Sequence, residues 1–188
     1  MRLVLATRNP HKLREFRRLL GGIELDPLPA GVELAPETGE SFAANAAPKA
    51  RSVVRVLGRE VIADDSGIEA GALGGAPGVR SARFAGDGAS DAENLARLQR
   101  EAPVGSALTY VCALVHAGPH GPERLFEARC TGRMAAQARG AGGFGYDPVF
   151  VCDADSAGRT MAELSDAEKD AISHRGKAAR ALLTWIRG

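Results

Sequence analysis

Aromatic residues make up only 5% of these 188 residues, and the chain is short of several other things that would tie it to a common class. Its three cysteines, Cys112, Cys130 and Cys152, are odd in number and lack C-x-x-C spacing. They read as reduced thiols of a cytoplasmic chain, not as a disulfide or zinc framework. His11, His116, His120 and His174 are scattered, with no metal-binding pattern such as H-E-x-x-H. No apolar run approaches the roughly 20 residues that a membrane span needs. The N-terminus carries one arginine and then a short strand-like run, which is not the pattern of a signal peptide. A net charge of +1 gives no bulk attraction to nucleic acid or membrane, so an anionic ligand has to be held by a local cluster. Lysine is the scarcest charge: of 24 basic residues only Lys12, Lys49, Lys169 and Lys177 are lysine. An ammonium is a compact point charge and a guanidinium a planar fork. In so arginine-rich a chain, the lysines mark places where an ammonium is specifically required.

What remains is the composition of a soluble globular protein, 45% hydrophobic and 25% charged, of a length for one domain or a two-lobed single unit. The stretch that organises it is residues 61–86. A short apolar run, Val61, Ile62 and Ala63, precedes paired carboxylates at Asp64 and Asp65, then Ser66 and a loop with Gly71, Gly74, Gly75, Pro77 and Gly78. That order predicts a buried strand whose end opens into a site. Adjacent strand residues point to opposite faces, so one aspartate is expected to do chemistry and the other to hydrogen-bond the glycine loop.

The flanking chain supplies candidates for binding. Residues 3–6 read as a buried strand, and Asn9 followed by Pro10 predicts a helix start. Leu13, Phe16, Leu19 and Leu20 give its apolar stripe, closed by Gly21 and Gly22. Strand, tight turn and helix N-terminus together form an anion site, and Lys12 in that first turn makes sense with a phosphate beside it. Residues 23–40 read as loop or edge strand. Ser41 is placed to cap a helix over 42–57, with Pro48 expected to kink it at a cost of about 3 kcal/mol. Asn45 and Lys49 lie one turn apart on one face of that helix. Ser90 and Ser165 each begin a capping box. Residues 108–115 and 125–130 read as a hairpin. Gly140 to Gly145 formally matches G-x-G-x-x-G, but residues 146–151 continue as a strand, not a helix, so the dinucleotide reading fails. The glycines instead leave Phe144 and Tyr146 to stand exposed beside a flat ligand. Residues 173–177 are expected to interrupt the last two helices. Together these features suggest a metal-dependent enzyme acting on a nucleotide, without saying which bond is cut.

Five stretches carry a resemblance beyond this: T-R-N-P-H-K; E-T-G with F-A-A-N-A-A-P-K-A-R; D-D-S-G through S-A-R-F-A-G; G-G-F-G-Y-D-P-V-F; and M-A-E-L through S-H-R-G-K-A. In this order, across nearly the whole chain, they resemble the Ham1-like inosine/xanthosine triphosphate pyrophosphatase family. The resemblance implies a two-lobed α/β fold, residues 1–188 forming one domain, with a long mixed central sheet flanked by helices and an active-site cleft between lobes. It implies a homodimer and Mg²⁺-dependent cleavage of ITP, dITP and XTP to monophosphate and pyrophosphate. Thr7, Arg8, Asn9, Pro10, His11 and Lys12 would hold the triphosphate, with Lys49 and Ser66 as further substrate contacts. Asp65 would be the catalytic carboxylate and, with Glu37, a metal ligand. Phe144, Gly145, Tyr146, Asp147, Lys169, His174 and Arg175 would surround the base and sugar. Position 44 is alanine where many relatives look like E-N-A, so no acidic role carries over to it.

Mg²⁺ is typically held by one or two carboxylates plus substrate phosphates, and Glu37 with Asp65 can supply the carboxylates. Two other readings stay open. One is a general nucleotide pyrophosphatase for canonical or methylated pyrimidine nucleotides, similar to the Maf-type fold relatives, against which Phe144 and the Ser173-His174-Arg175 motif argue. The chain could also bind nucleotides without catalysis, against which the intact Asp64-Asp65 pair argues.

Overall fold

The computed structural model describes residues Met1 to Gly188. Six strands form one mixed sheet in the order β2-β1-β3-β4-β5-β6. They are β1 (Arg2–Leu5), β2 (Glu24–Pro27), β3 (Val61–Ala70), β4 (Ala107–Ala117), β5 (Arg124–Met134) and β6 (Phe150–Cys152). β1 pairs in parallel with both β2 and β3, while β5 and β6 are antiparallel. The helices are α1 (Pro10–Leu19), α2 (Phe42–Leu57), α3 (Asp91–Glu101), α4 (Asp166–Ile172) and α5 (His174–Arg187). No helix is long and apolar enough to cross a membrane.

Local chemistry sets the helix ends where the sequence places them. Asn9 accepts from the amides of His11 and Lys12 ahead of Pro10, and Ser41 accepts from the Ala44 amide. Gly58 closes α2 in the left-handed conformation that glycine takes without penalty. Ser90–Glu93 and Ser165–Glu168 are both reciprocal capping boxes. α2 runs unbroken through Pro48. Phe42, Ala46, Ala50 and Val53 on its inner face are buried, and that packing outweighs the hydrogen bond lost at proline.

The chain forms two compact units, each with its own core. The first comprises Met1–Asp65, Cys112–Ala128 and Arg175–Gly188, the second Ser66–Val111 and Arg129–His174. In the first, Leu3, Leu5, Ile62 and Leu114 pack with Phe16 and Leu20 and with Ala178, Ala179 and Leu182. In the second, Ile68, Leu98, Leu108, Val149, Phe150 and Met161 form the core.

Three expectations are corrected. β3 does not end at the carboxylates but continues to Ala70, because Ile68 and Ala70 are themselves fully buried. Asp64 and Asp65 therefore sit mid-strand. Residues 147–149 form a 3₁₀ turn, with Pro148 in its first turn, and the strand begins only at Phe150. The break between the last two helices is Ser173 alone; His174, Arg175 and Lys177 already belong to the first turn of α5.

Gly67 illustrates how tightly β3 is packed beyond the carboxylates. Ser81 Oγ accepts from the Ile68 amide at 2.8 Å and donates to the Gly78 carbonyl at 2.6 Å. A Cβ on residue 67 would fall on Ser81 Oγ and 2.8 Å from the Gly78 oxygen. Gly67→Ala is expected to destabilise the protein by about 1–3 kcal/mol through overpacking. The measurement is a urea unfolding midpoint; no change in it would mean that the Ser81 turn yields freely.

Candidate active site

Alternation along β3 sends Asp64 and Asp65 to opposite faces, and each meets a different set of charges. Asp64 is buried on the side of α1 and α5. Lys12 Nζ lies 2.7 Å from its Oδ2, and Arg175 Nε is 3.7 Å from the same oxygen. Cys112 Sγ, on β4, donates to Oδ1 at 3.1 Å. Glu15, one turn beyond Lys12 on α1, accepts from Arg175 Nη1 at 3.1 Å. Burial, the largest single influence on Asp64, pushes its pKa up. The charges of Lys12 and Arg175 and the hydrogen bonds from Lys12 and Cys112 together outweigh it and hold the carboxyl well below the usual range.

Asp65 faces α2. Asn45 Nδ2 donates to its Oδ2 at 3.0 Å, and Lys49 Nζ is 3.8 Å from Oδ1. The same ammonium donates to Glu37 at 2.6 Å and to the Asp64 carbonyl at 2.9 Å. Asn45 Oδ1 also accepts from the Gly39 amide at 2.7 Å, tying the Glu37 loop to α2. Here burial prevails over the lowering influence of Lys49 and Lys12, and the Asp65 pKa is raised. Two neighbouring aspartates thus differ in kind: Asp64 is a locked anion, and Asp65 is a carboxylate more ready to take a proton.

Glu37 and Asp65 share one cation, the Lys49 ammonium, between hard oxygen ligands. Two carboxylates are the number that a magnesium ion takes when waters and substrate oxygens fill its remaining positions.

The 7–12 loop divides its labour. Arg8 spends its guanidinium on the carbonyls of Leu28, Pro29 and Val32, and Thr7 Oγ1 accepts from the Asn9 amide. Because Asn9 takes the amides of His11 and Lys12, these helix-end donors are satisfied within the chain. The backbone donors expected to hold an anion there are therefore already taken, and the Lys12 ammonium is turned to Asp64. His11 lies 2.7 Å from Arg14 through Nδ1.

In the second unit, Asp147 is the hub. Its Oδ2 accepts from Lys169 Nζ at 2.7 Å and from the Phe144 amide at 2.9 Å; its Oδ1 accepts from Tyr110 at 3.0 Å. Lys169 stands 5.4 Å over the Phe144 ring. The Gly145 amide donates to Asp91 at 2.9 Å. His174 stacks on Tyr110 with centroids 4.6 Å apart and planes 7° from parallel. Ser66 is half-buried on β3.

Several sequence expectations change here. Tyr146 is not exposed: it is buried, with its hydroxyl donating to the Ser81 carbonyl at 2.7 Å. Asp64 does not serve the glycine loop, because two cations and a thiol occupy it. Arg175 pairs with Asp64 and Glu15, while its chain neighbour His174 stacks on Tyr110. Glu15, Asn45, Tyr110, Asp91 and Cys112 were not singled out as site residues. Spacing alone offered a hint for two of them: Glu15 is three residues from Lys12, and Asn45 four from Lys49.

The Asp64 arrangement predicts a pH signature. A carboxyl whose folded pKa lies below its unfolded value of about 3.9 adds stability above that value and loses it as pH falls towards the folded pKa. Asp65, shifted the other way, contributes with the opposite sign. Asp64→Asn takes the carboxylate from half-buried Lys12, leaves buried Arg175 with Glu15 alone, and is expected to cost about 2–4 kcal/mol near neutral pH. It should also flatten the acid-side decline of stability. Urea titrations at neutral pH and through the acid range test both points; a loss under about 1 kcal/mol would mean that Asp64 does not hold these cations.

Comparison with known proteins agrees across the full length. The Ham1 family model matches residues 3–185. A Frankia alni protein named dITP/XTP pyrophosphatase is 46% identical over 200 residues, covering 100% of this chain and 98% of its own. A protein of the same name from Geobacillus kaustophilus is 48% identical over 185 residues, covering 94% and 89%. The solved structure of the Staphylococcus aureus Ham1 protein superposes with a TM-score of 0.86 at 33% identity, covering 100% and 99%. With both sequence and backbone matched from end to end, the chain belongs to the Ham1 family.

Proposed function

We propose that the protein is a hydrolase that cleaves the non-canonical purine nucleoside triphosphates ITP, dITP and XTP to monophosphate and pyrophosphate, removing them from the nucleotide pool. The observation that carries this reading is the contrast between Asp64 and Asp65: an aspartate held by two cations on one face of β3, and one facing Asn45, Lys49 and Glu37 on the other. Membership of the Ham1 family, whose relatives bear the name dITP/XTP pyrophosphatase, supports the substrate class.

Phosphoryl chemistry rests mainly on positioning and charge neutralisation. Lys12 meets the triphosphate, and Arg175, sharing Asp64 with it and next in the chain to His174, stands with the residues around the base and sugar. Asp65 accepts a proton from water as the water oxygen bonds to the α-phosphorus. The bond from that phosphorus to the bridging oxygen breaks, and pyrophosphate leaves. Lys49 holds Glu37 and Asp65 in register until substrate arrives. Glu37 and Asp65 would hold Mg²⁺, which when bound neutralises phosphate charge. On the base side, Phe144 stacks on the purine, while Lys169 and His174 offer donors to a carbonyl at the six position. Adenine presents an amino group there, and a donor-lined site rejects it. The family resemblance further supports a homodimer working in the cytoplasm, which light scattering and cell fractionation test.

Pyrophosphate release from ITP, dITP, XTP, ATP, GTP and pyrimidine triphosphates, with and without Mg²⁺, is the deciding experiment. Turnover of the first three well above ATP, dependent on Mg²⁺, is expected; equal use of ATP, or a preference for pyrimidines, would overturn the reading. Asp65→Asn should lower kcat by about 10²–10⁴-fold without loss of stability, because its carboxyl is not favoured as an anion by folding. A variant within a few-fold of wild type would move the general base elsewhere. Lys12→Ala should weaken triphosphate binding more than monophosphate binding, read by calorimetry; equal losses would remove Lys12 from the phosphate site.

A further inference from the structure

Tyr110 lies outside every motif that carries the family resemblance, yet it touches two of the residues assigned to the base. It sits on β4, buried within the second core. One face of its ring is nearly parallel to His174 at 4.6 Å, and Phe150 packs against it at 4.5 Å with a tilt of 36°. Its hydroxyl donates to Asp147 Oδ1 at 3.0 Å. The other oxygen of that carboxylate holds Lys169 and the Phe144 amide. A carboxylate rotates as one rigid group, so a donor fixed on Oδ1 also fixes where Oδ2 points. Tyr110 therefore restrains the imidazole plane directly, and the Lys169 ammonium and Phe144 loop through Asp147. A buried carboxylate deprived of one donor is costly to leave so, and it recovers by turning towards another.

We propose that Tyr110 is a specificity-determining positioning residue, whose hydroxyl and ring together set the donor geometry that distinguishes a six-carbonyl purine from adenine. This rests on the substrate reading given above. It adds that selectivity depends on a phenol beneath the base-side residues, and not only on those residues themselves. A group that merely filled core volume would lower stability and affect all substrates alike. A group that aims donors affects most the ligand those donors read.

The test compares wild type with Tyr110→Phe, which keeps the ring stack and removes the hydroxyl, and Tyr110→Leu, which removes both. kcat and KM are measured for ITP and ATP, alongside calorimetry with inosine monophosphate and with inorganic tripolyphosphate. Tyr110→Phe is expected to raise KM for ITP about tenfold with little change in kcat, to raise KM for ATP distinctly less, through the Phe144 stack that both purines share, and to leave tripolyphosphate binding unchanged. The ITP-to-ATP preference then narrows, and inosine monophosphate binding weakens in step. Tyr110→Leu should narrow it further. Parallel losses for ITP and ATP, or an unchanged preference in Tyr110→Phe, would overturn the assignment of Tyr110 while leaving the function intact. A wild type without preference for ITP over ATP would instead overturn the function reading on which it rests.

Discussion

The alternation of side chains along a β-strand is the constraint on which this protein depends. Because Asp64 and Asp65 are consecutive within β3, they cannot share a face, and the elements packed on each face decide what each carboxylate becomes. α1 and α5 bring Lys12 and Arg175 to Asp64; α2 brings Asn45 and Lys49 to Asp65. Burial alone would drive both towards the neutral acid. Two close cations and two hydrogen bonds reverse that for Asp64, while Asp65, with its nearest ammonium at 3.8 Å and Glu37 close by, is not rescued to the same degree. One strand register thus yields, side by side, an anchored anion and a carboxyl of raised pKa.

The same accounting governs the second unit. Asp147 and Lys169 are both buried, and buried charge is tolerated only when paired and hydrogen-bonded. Asp147 meets that requirement with three donors from three places in the chain: Tyr110 on β4, the Phe144 amide in a glycine loop, and Lys169 on α4. Gly143 of that loop is there for close approach. A Cβ at Gly143 would collide with the Asp147 carboxylate. The polar network that confers order on the loop is therefore also what excludes larger residues from it.

Much of this was legible in the chain. Helix starts at Asn9, Ser41, Ser90 and Ser165 are written in short-range chemistry, since a cap needs only a side-chain oxygen and an amide two or three residues away. The buried face of α2 follows from its 3.6-residue period. Lys12, Lys49 and the Asp64-Asp65 pair were legible as candidates because lysines are few and the carboxylates follow an apolar run, whereas Glu37 and the choice of Asp65 over Asp64 came only with the family resemblance. Where local reading failed, tertiary packing overrode it. Residues 66–70 look like turn but are strand, because Ile68 and Ala70 have a core to enter; Tyr146 looks like a free ring but lies in the core with its hydroxyl on Ser81.

By itself, the sequence determined the caps, the periodicities, the family motifs and the short list of groups capable of chemistry, all properties of residues within a few positions of one another. Only the tertiary structure decided which of those groups share an environment. Arg175 and Glu15 are 160 residues apart and meet on one guanidinium; His174, the immediate neighbour of Arg175, instead stacks on Tyr110 in the other unit. Charge state and side-chain aim are set by burial and by partners within a few ångströms. No spacing along the chain records those distances, so the split between Asp64 and Asp65 could emerge only from the folded protein.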